Sequence, residues 1–214
     1  MAKIAVFGAT GTIGSTITRE ALDRGHQVTA VRRDSAKPTD PRAEPTVGDV
    51  LDPQSVAAIA KGHDVVVSAV GGGDGPGHLA TIKPAAESLV AGLRALGPDA
   101  PRLVAVGGAG SLRTPGGGEV RDKEGLPEFL LQIMNAHADA LDYYRGVDDV
   151  HWTNLSPAAT IEPGTRTGRY RTELDDLVVD DGGVSRISTE DYAVALVDEI
   201  ENPRHTGKRF TVGY

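Results

Sequence analysis

Short apolar runs rich in valine, isoleucine and leucine alternate along the chain with longer segments whose apolar residues recur at helical spacing. The short runs predict strands and the longer segments predict helices. The first predicted strand begins at residue 3, and the others cover residues 27–33, 45–50, 64–70, 102–108, 151–155 and 209–214. Predicted helices cover about 13–24, 54–61, 79–96 and 128–145, and a last helix begins at residue 188. Apolar strands separated by helices form parallel sheets that are covered on both faces. We therefore predict an α/β fold with a doubly wound parallel sheet.

The length of 214 residues is typical of one domain, so we predict a single domain spanning residues 1–214. Polar and apolar residues alternate between 165 and 179, as at Tyr170, Thr172 and Leu174, and this alternation predicts a hairpin. Residues 153–190 would then contribute part of a small C-terminal lobe on the substrate side. The glycine- and proline-rich segment 113–127 predicts an irregular loop, which is either a lid over bound ligands or an excursion without a role.

Three glycines, Gly8, Gly11 and Gly14, follow the first strand at intervals of three residues and lead into the first helix. Gly8 allows a tight turn, Gly11 lets a pyrophosphate approach the backbone, and Gly14 lets the helix pack closely on the sheet. The first amides of that helix have no intrahelical partner and carry partial positive charge. We predict that this turn binds the diphosphate of a dinucleotide, the alternative being a glycine-rich turn without a ligand. The predicted contacts are Gly8, Thr10, Gly11, Thr12 and Ile13.

The second predicted strand ends in Arg32 and Arg33, where a protein selective for NAD usually carries an acidic residue for the ribose 2′-hydroxyl. An arginine at this place pairs with the 2′-phosphate of NADP, and such a charge-assisted hydrogen bond contributes roughly 1.5–3 kcal/mol. We therefore predict that both arginines bind the 2′-phosphate and that the cofactor is NADP, used as NADPH. Two alternatives stay open: the arginines form a solvated strand end, or Asp34, one residue further on, contacts the ribose.

Ligands of a doubly wound sheet bind beyond the carboxyl ends of its strands, so the residues there are candidates for the rest of the site. Asp49 is placed either to accept a hydrogen bond from the adenine amino group or to begin the next helix. Ser111, after the fifth strand, is our candidate for orienting the nicotinamide or the hydride acceptor, its alternative role being a cap at the start of the loop. The other predicted cofactor contacts are Val50, Ala69, Val70, Gly71, Ser156, Pro157 and Ala158.

Composition and charge exclude several other classes of protein. The chain carries 22 Lys and Arg against 30 Asp and Glu, a net charge of −8, which argues against nucleic acid as the partner. The absence of cysteine excludes disulfides, a thiolate nucleophile and cysteine metal sites. No signal peptide or membrane-spanning apolar run is evident, so we expect a cytoplasmic monomer or homodimer without a membrane partner. The six histidines include no pair three or four residues apart, so no helical metal site is predicted.

Four motifs resemble the NADH-flavin reductase group of the atypical short-chain dehydrogenases, whose relatives include flavin and biliverdin reductases and NmrA-like proteins. They are the glycine turn 8–14 before an arginine-ended strand, and the segments 107–112, 155–159 and 187–193. The resemblance extends over nearly the whole chain. It implies a Rossmann-like fold, an NADP cofactor, and FMN or FAD as a substrate. One flavin-reducing relative carries a histidine just after the late-strand proline; here Ala158 and Ala159 follow Pro157, so a histidine-assisted mechanism is not implied.

The chain lacks the tyrosine and the lysine four residues later with which ordinary short-chain dehydrogenases protonate a developing alkoxide. The residues four positions after Tyr143, Tyr144, Tyr170 and Tyr192 are Val147, Asp148, Leu174 and Leu196, and Tyr214 ends the sequence. This argues against an alcohol dehydrogenase or a sugar-nucleotide epimerase. His137 lies in the helix 128–145, which borders the active site in this fold class, although a lone helical histidine more often serves packing or faces solvent.

Hydride transfer to a flavin or quinone needs no strong acid, because the acceptor ring delocalises the added charge. We therefore predict an NADPH-dependent reductase that transfers a hydride directly to a small planar acceptor. Two alternatives stay open. One is an NmrA-like redox sensor that binds NADP without turnover, and the other is a reductase of a specific biosynthetic intermediate.

Overall fold

The computed structural model describes residues 1–214 and contains ten strands. They are β1 (Lys3–Phe7), β2 (Gln27–Arg32), β3 (Glu44–Val47), β4 (Val65–Ser68), β5 (Arg102–Val106), β6 (Trp152–Ser156), β7 (Thr160–Glu162), β8 (Arg171–Glu173), β9 (Arg186–Ser188) and β10 (Lys208–Gly213). Eight strands form one sheet in the spatial order β3-β2-β1-β4-β5-β6-β10-β8. All neighbours in it are parallel except β8, which runs antiparallel to β10. The predicted doubly wound, Rossmann-like fold is confirmed.

Five helices cover the two faces of this sheet. They are α1 (Thr12–Asp23), α2 (Pro53–Ala60), α3 (Gly75–Arg94), α4 (Glu128–Arg145) and α5 (Thr189–Glu201). Residues of β1 alternate between two apolar cores: Ile4 and Val6 pack with α1 and α5, whereas Ala5 and Phe7 pack with α2, α3 and α4. A strand buried on both faces in this way reads as a continuous apolar run, which is why the sequence predicted it. No helix is both long and apolar enough to cross a membrane.

Helix α3 begins four residues before the predicted start. The Asp74 carboxylate accepts a hydrogen bond from the Gly77 amide at 2.7 Å and caps the helix, with Pro76 in its first turn. Proline is tolerated there because its missing amide has no intrahelical partner. The two glycines of this turn, Gly75 and Gly77, have low helix propensity, so the pattern placed the start too late.

The predicted hairpin at residues 165–179 is wrong. The range contains one strand, β8, which pairs with the distant β10 at the edge of the main sheet. After β8 the chain turns toward β5, where the Arg113 amide donates to the Asp175 carbonyl and the Leu177 amide donates to the Arg113 carbonyl. These loop hydrogen bonds satisfy the backbone groups that a second hairpin strand would have used. A separate pair of parallel strands, β7 and β9, lies in the predicted lobe region.

A buried carboxylate attaches the segment 164–168 to α5. Ser188 caps α5, and Asp191, which is fully buried, accepts hydrogen bonds from the Thr167 amide and hydroxyl, the Gly168 amide and the Tyr214 hydroxyl. Burial alone would raise the pKa of Asp191, but these hydrogen bonds hold it below its ordinary value. The motif 187–193 therefore builds a helix start and an anchor for the segment that precedes β8.

The segment 113–127 contains more regular structure than predicted. Arg113 and Glu119 form an antiparallel bridge, and a short 3₁₀ helix covers Val120–Asp122. The Val120 amide donates to the Leu112 carbonyl, and the Arg121 amide donates to the Gly110 carbonyl. These hydrogen bonds fold the segment back onto the loop that follows β5. Its role as a lid stays a prediction.

Candidate functional site

At two of the three glycines in the turn after β1, close backbone contacts admit no side chain. Gly8 has a φ of +84°, and a Cβ at this residue would lie 2.4 Å from the Ala69 carbonyl oxygen. A Cβ at Gly14 would lie 2.1 Å from the Gly8 carbonyl oxygen, so this glycine lets α1 lie directly on the turn. At Gly11 the nearest atom to a Cβ would be 3.5 Å away. Packing inside the protein therefore explains Gly8 and Gly14, whereas no protein atom requires a glycine at residue 11.

The start of α1 has unused donors for an anion. Its cap residue is Gly11, which contributes no side-chain hydrogen bond, and the first turn contains no acidic residue. The first amides of a helix have no intrahelical acceptor, and the helix dipole adds partial positive charge there. The cradle at Gly11 together with these amides fits the diphosphate of a dinucleotide.

A cleft of ≈ 740 Å³ opens beside this turn, at the carboxyl ends of β1, β2 and β4. The sheet order reverses between β1 and β4, and such a switch point is where ligands bind in this class of fold. Predicted site residues that line the cleft are Gly8, Thr10, Gly11, Arg32, Arg33, Val50, Ala69, Val70 and Gly71. We call this feature the strand-end cleft.

Three cationic side chains line the end of the strand-end cleft that lies beside β2: Arg32, Arg33 and Lys37. Arg32 donates from Nη1 to the Lys37 carbonyl, while its buried Nε has no partner in the protein. Asp34, the predicted competitor, also lines the cleft, and its carboxylate accepts a hydrogen bond from the Ala36 amide at 2.8 Å in its own turn. Because a buried guanidinium nitrogen without a partner is unfavourable, this arrangement fits an anionic ligand. Lys37 was missed because it lies in an irregular segment without a motif.

The remaining predicted cofactor contacts lie outside the walls of the strand-end cleft. Thr12 and Ile13 form the first turn of α1, and the Ile13 side chain packs against the core that contains residues of β1, α1 and α5, so what these residues can offer a ligand is the free amides of a helix start. Asp49 accepts a hydrogen bond from the Leu51 amide at 2.9 Å. It does not begin α2, because Asp52 caps that helix. The last three predicted contacts are buried at the end of β6, which β5 separates from the strand-end cleft: Ser156, Pro157 and Ala158.

Ser111 lies after β5 and is partly exposed, but it does not line the strand-end cleft. Arg209 of β10 donates from Nη1 to the Ser111 hydroxyl oxygen at 2.8 Å and to the Ser111 carbonyl at 3.2 Å. The Arg209 side chain is only 3% exposed, and its guanidinium also donates to Asp175. Sequence reasoning missed this contact because 98 residues separate the two partners.

Two histidines meet near the ends of β4 and β5. His78 of α3 and His137 of α4 have ring centroids 5.9 Å apart. His78 donates from Nδ1 to the Asp74 carbonyl at 2.7 Å, and its Nε2 lies beside Gly71. Burial, with a smaller effect of His78, lowers the pKa of His137 to about 4. His137 is therefore a neutral, packed histidine at pH 7, and the pairing with His78 had no signal in the sequence.

No tyrosine offers a proton donor next to the strand-end cleft. The Tyr192 hydroxyl donates to the Leu155 carbonyl at 2.6 Å inside the core, and the Tyr170 hydroxyl donates to Asp198. Tyr144 stacks on Trp152 near the far end of α4. No group of three or more His, Asp or Glu side chains is placed to hold a metal ion.

The sheet order, the glycine turn and the cleft at the switch point define a dinucleotide-binding protein of the Rossmann class. Residues 8–200 match the family model described as NAD(P)H-binding, and the chain belongs to this family.

Three solved structures are similar to this chain over their whole length. A protein from Burkholderia pseudomallei, provisionally named as exported, is 44% identical, with a TM-score of 0.89 and coverage of 100% of both chains. A protein from Bacteroides thetaiotaomicron, provisionally named an epimerase, is 37% identical with a TM-score of 0.87, and the match covers 100% of this chain and 97% of that one. A protein from Streptococcus pneumoniae, provisionally named an NADH-flavin reductase, is 30% identical with a TM-score of 0.86, and the match covers 100% and 99%. The three names differ, so they fix the fold and family but no single reaction.

Proposed function

We propose that this protein is an NADPH-dependent reductase that transfers a hydride to a flavin, or to a similar planar acceptor such as a quinone. The observation that carries the proposal is the strand-end cleft, which joins a diphosphate cradle at Gly11 to the cations Arg32, Arg33 and Lys37. A dinucleotide carrying a 2′-phosphate has an anionic group for each end of this cleft.

The residues of this chain have separate roles in the proposed reaction. The amides of Thr12 and Ile13 bind the diphosphate beside the open backbone of Gly11, whose own amide donates to the Gly8 carbonyl at 3.0 Å, and the three cations bind the 2′-phosphate. Val50 and its exposed neighbour Leu51 offer apolar contact for the adenine ring. When bound, NADPH supplies the hydride. The protein's remaining task is to orient the two rings and exclude water, and we assign the orienting hydrogen bond to Ser111.

The acceptor is proposed from the chemistry that the chain can support. The hydroxyls of Tyr170, Tyr192 and Tyr214 make hydrogen bonds elsewhere and Tyr144 stacks on Trp152, while the His137 imidazole is neutral at pH 7. A carbonyl substrate that needs a strong acid is therefore disfavoured, whereas a flavin or quinone takes up charge in its own ring. The 30% identical relative provisionally named an NADH-flavin reductase supports this class of acceptor.

Initial rates of NADPH and NADH oxidation with FMN, FAD and a quinone test the proposal. We expect turnover with at least one acceptor and a lower KM for NADPH than for NADH. Arg32→Ala should raise the KM for NADPH by about 10- to 100-fold, the equivalent of one charge-assisted hydrogen bond, and leave NADH unaffected. Arg19→Ala is the matched control, because Arg19 is exposed on α1 and does not line the strand-end cleft. Absence of turnover with every acceptor would contradict the reductase.

The second candidate function is an NmrA-like sensor of NADP(H) that binds without turnover. The observation that favours it is the lack of an acidic proton donor beside the strand-end cleft. Tight NADP binding combined with no oxidation of NADPH by any acceptor, and a protein partner whose association depends on NADP, would support the sensor over the enzyme.

We propose the cytoplasm as the compartment. NADPH is supplied there, and a chain without cysteine has no disulfide that would need an oxidising compartment. The name of the Burkholderia relative points to export for that protein. Cell fractionation with an antibody against this protein distinguishes the two locations.

A further inference from the structure

Arg209 is a buried cation whose position the proposed reaction does not yet explain. It belongs to β10, next to β6 in the sheet, and its side chain is 3% exposed. Burying a guanidinium is unfavourable unless its donors are satisfied. Arg209 satisfies them with two partners from separate loops, Asp175 after β8 and Ser111 after β5.

The contact with Ser111 determines how the serine hydroxyl can be used. A guanidinium has donors and no acceptor, so the Ser111 oxygen must accept the bond from Arg209 at 2.8 Å. The hydroxyl proton then has to point away from Arg209. No protein atom accepts that proton, and the residue is partly exposed. The hydroxyl is therefore available as a donor to a ligand, and the adjacent positive charge strengthens it in that role.

We propose that Arg209 is the positioning residue for Ser111: it holds the serine hydroxyl as a hydrogen-bond donor toward a carbonyl oxygen of the planar hydride acceptor. This inference rests on the proposed function. The inference adds a substrate specificity to that function: the preferred acceptors carry a carbonyl oxygen that gains electron density on reduction, as flavins and quinones do. Asp175 has a supporting role, since it accepts from Arg209 Nε at 2.8 Å and from Arg145 at 3.2 Å.

A purely structural role for Arg209 is the alternative to exclude, because the same two loops are also joined by Arg113 and Asp176. These residues form a two-pronged ion pair with distances of 2.8 and 2.9 Å, and their side chains are 62% and 58% exposed. Arg113→Met removes this link between the loops without touching Ser111. It is therefore the matched control for Arg209→Met.

The first test needs no turnover. The sequence contains no cysteine, so Ser111→Cys introduces the single thiol of the protein. The pH dependence of its alkylation by iodoacetamide gives the pKa of that thiol. An adjacent guanidinium lowers such a pKa by about 1 to 3, so Arg209→Met in this background should raise it by that amount, and Arg113→Met should leave it unchanged. An equal thiol pKa with and without Arg209 would overturn the inference.

The second test measures NADPH oxidation by FMN in Ser111→Ala, Arg209→Met and the double variant. We expect each single change to lower kcat about 10-fold and to leave the KM for NADPH unchanged. The double variant should be no slower than either single variant, because both changes remove the same interaction. Arg209→Lys should recover part of the loss. Losses that multiply in the double variant would contradict the inference and leave the proposed function intact. Lack of turnover in the unmodified protein, with the thiol pKa still dependent on Arg209, would contradict the reductase and not the coupling. Should Arg209→Met fail to fold, Arg209→Gln, which is neutral and keeps hydrogen-bond donors, carries both measurements.

Discussion

The imidazole rings of His78 and His137 lie 5.9 Å apart on two helices that meet beyond the ends of β4 and β5. Gly108 makes this approach possible, because a Cβ there would lie 2.8 Å from the Cβ of His137. Packing against the β5 loop thus removes much of the His137 ring from water and favours its neutral form, and this has a measurable consequence for stability.

We predict that His137 makes the protein less stable as pH falls below neutral. Its pKa is about 4 in the folded state against 6.5 for the free group, so between these values the unfolded chain binds more protons than the folded one. The free energy of unfolding therefore falls as pH is lowered, by about 2 kcal/mol between pH 7.5 and pH 5 from this residue alone. Urea unfolding at both pH values should show this loss in the unmodified protein and a smaller one in His137→Gln. His151→Gln, at an exposed histidine, should behave like the unmodified protein; an equal loss in His137→Gln would count against the assignment.

We predict that two glycines of the same turn affect different properties: Gly14 affects stability, and Gly11 affects NADPH binding. Gly14→Ala should lower the free energy of unfolding by at least about 2 kcal/mol, because its Cβ would lie 2.1 Å from the Gly8 carbonyl oxygen. Gly11→Ala should change stability by less than about 1 kcal/mol, since its Cβ has room, yet it should weaken NADPH binding at least 10-fold. Urea unfolding and calorimetric titration of both variants check this. Normal NADPH affinity in Gly11→Ala would show that the diphosphate does not contact this residue.

Lys37 should contribute to NADPH selectivity. It lines the strand-end cleft with Arg32 and Arg33, and its carbonyl accepts a hydrogen bond from Arg32. We expect Lys37→Ala to weaken NADPH binding about 5- to 10-fold and NADH binding less than 2-fold, because an exposed lysine forms weaker phosphate contacts than an arginine pair. Equal losses for both nucleotides would place Lys37 away from the 2′-phosphate.

Asp191→Asn should release the segment 164–168 from α5. The change replaces the charged acceptor of four hydrogen bonds by a neutral amide. Its oxygen can still face the Thr167 and Gly168 amides, but its NH2 group then meets the Thr167 and Tyr214 hydroxyls, which should cost about 2 kcal/mol of stability. Because the folded pKa of Asp191 lies below the ordinary value of 3.8, its contribution is complete above that pH and is lost as pH falls through the folded value. The stability difference between Asp191→Asn and the unmodified protein should therefore shrink below pH 3.8. Asp181→Asn, at an exposed residue, should have no effect at any pH.

Much of the fold could be predicted because its strands are apolar on both faces and its helices have one apolar face. The glycine turn could be predicted because its spacing is a local pattern, and the Gly14 contact with the Gly8 carbonyl lies within that turn. The segment after β8 could not, because its polar alternation is local whereas its partners, Arg113 and β10, are distant in sequence. The same reason hid the contact between Ser111 and Arg209 and the meeting of His78 with His137.

Calorimetric titration of the purified protein with NADPH and, separately, NADH measures whether the strand-end cleft is a dinucleotide site with a 2′-phosphate pocket. We predict saturable heat with NADPH and an affinity for NADH at least 10-fold weaker, as expected when the contacts of Arg32, Arg33 and Lys37 are lost. No saturable heat with either nucleotide would contradict the assignment of the cleft, and equal affinities would contradict the role of the three cations.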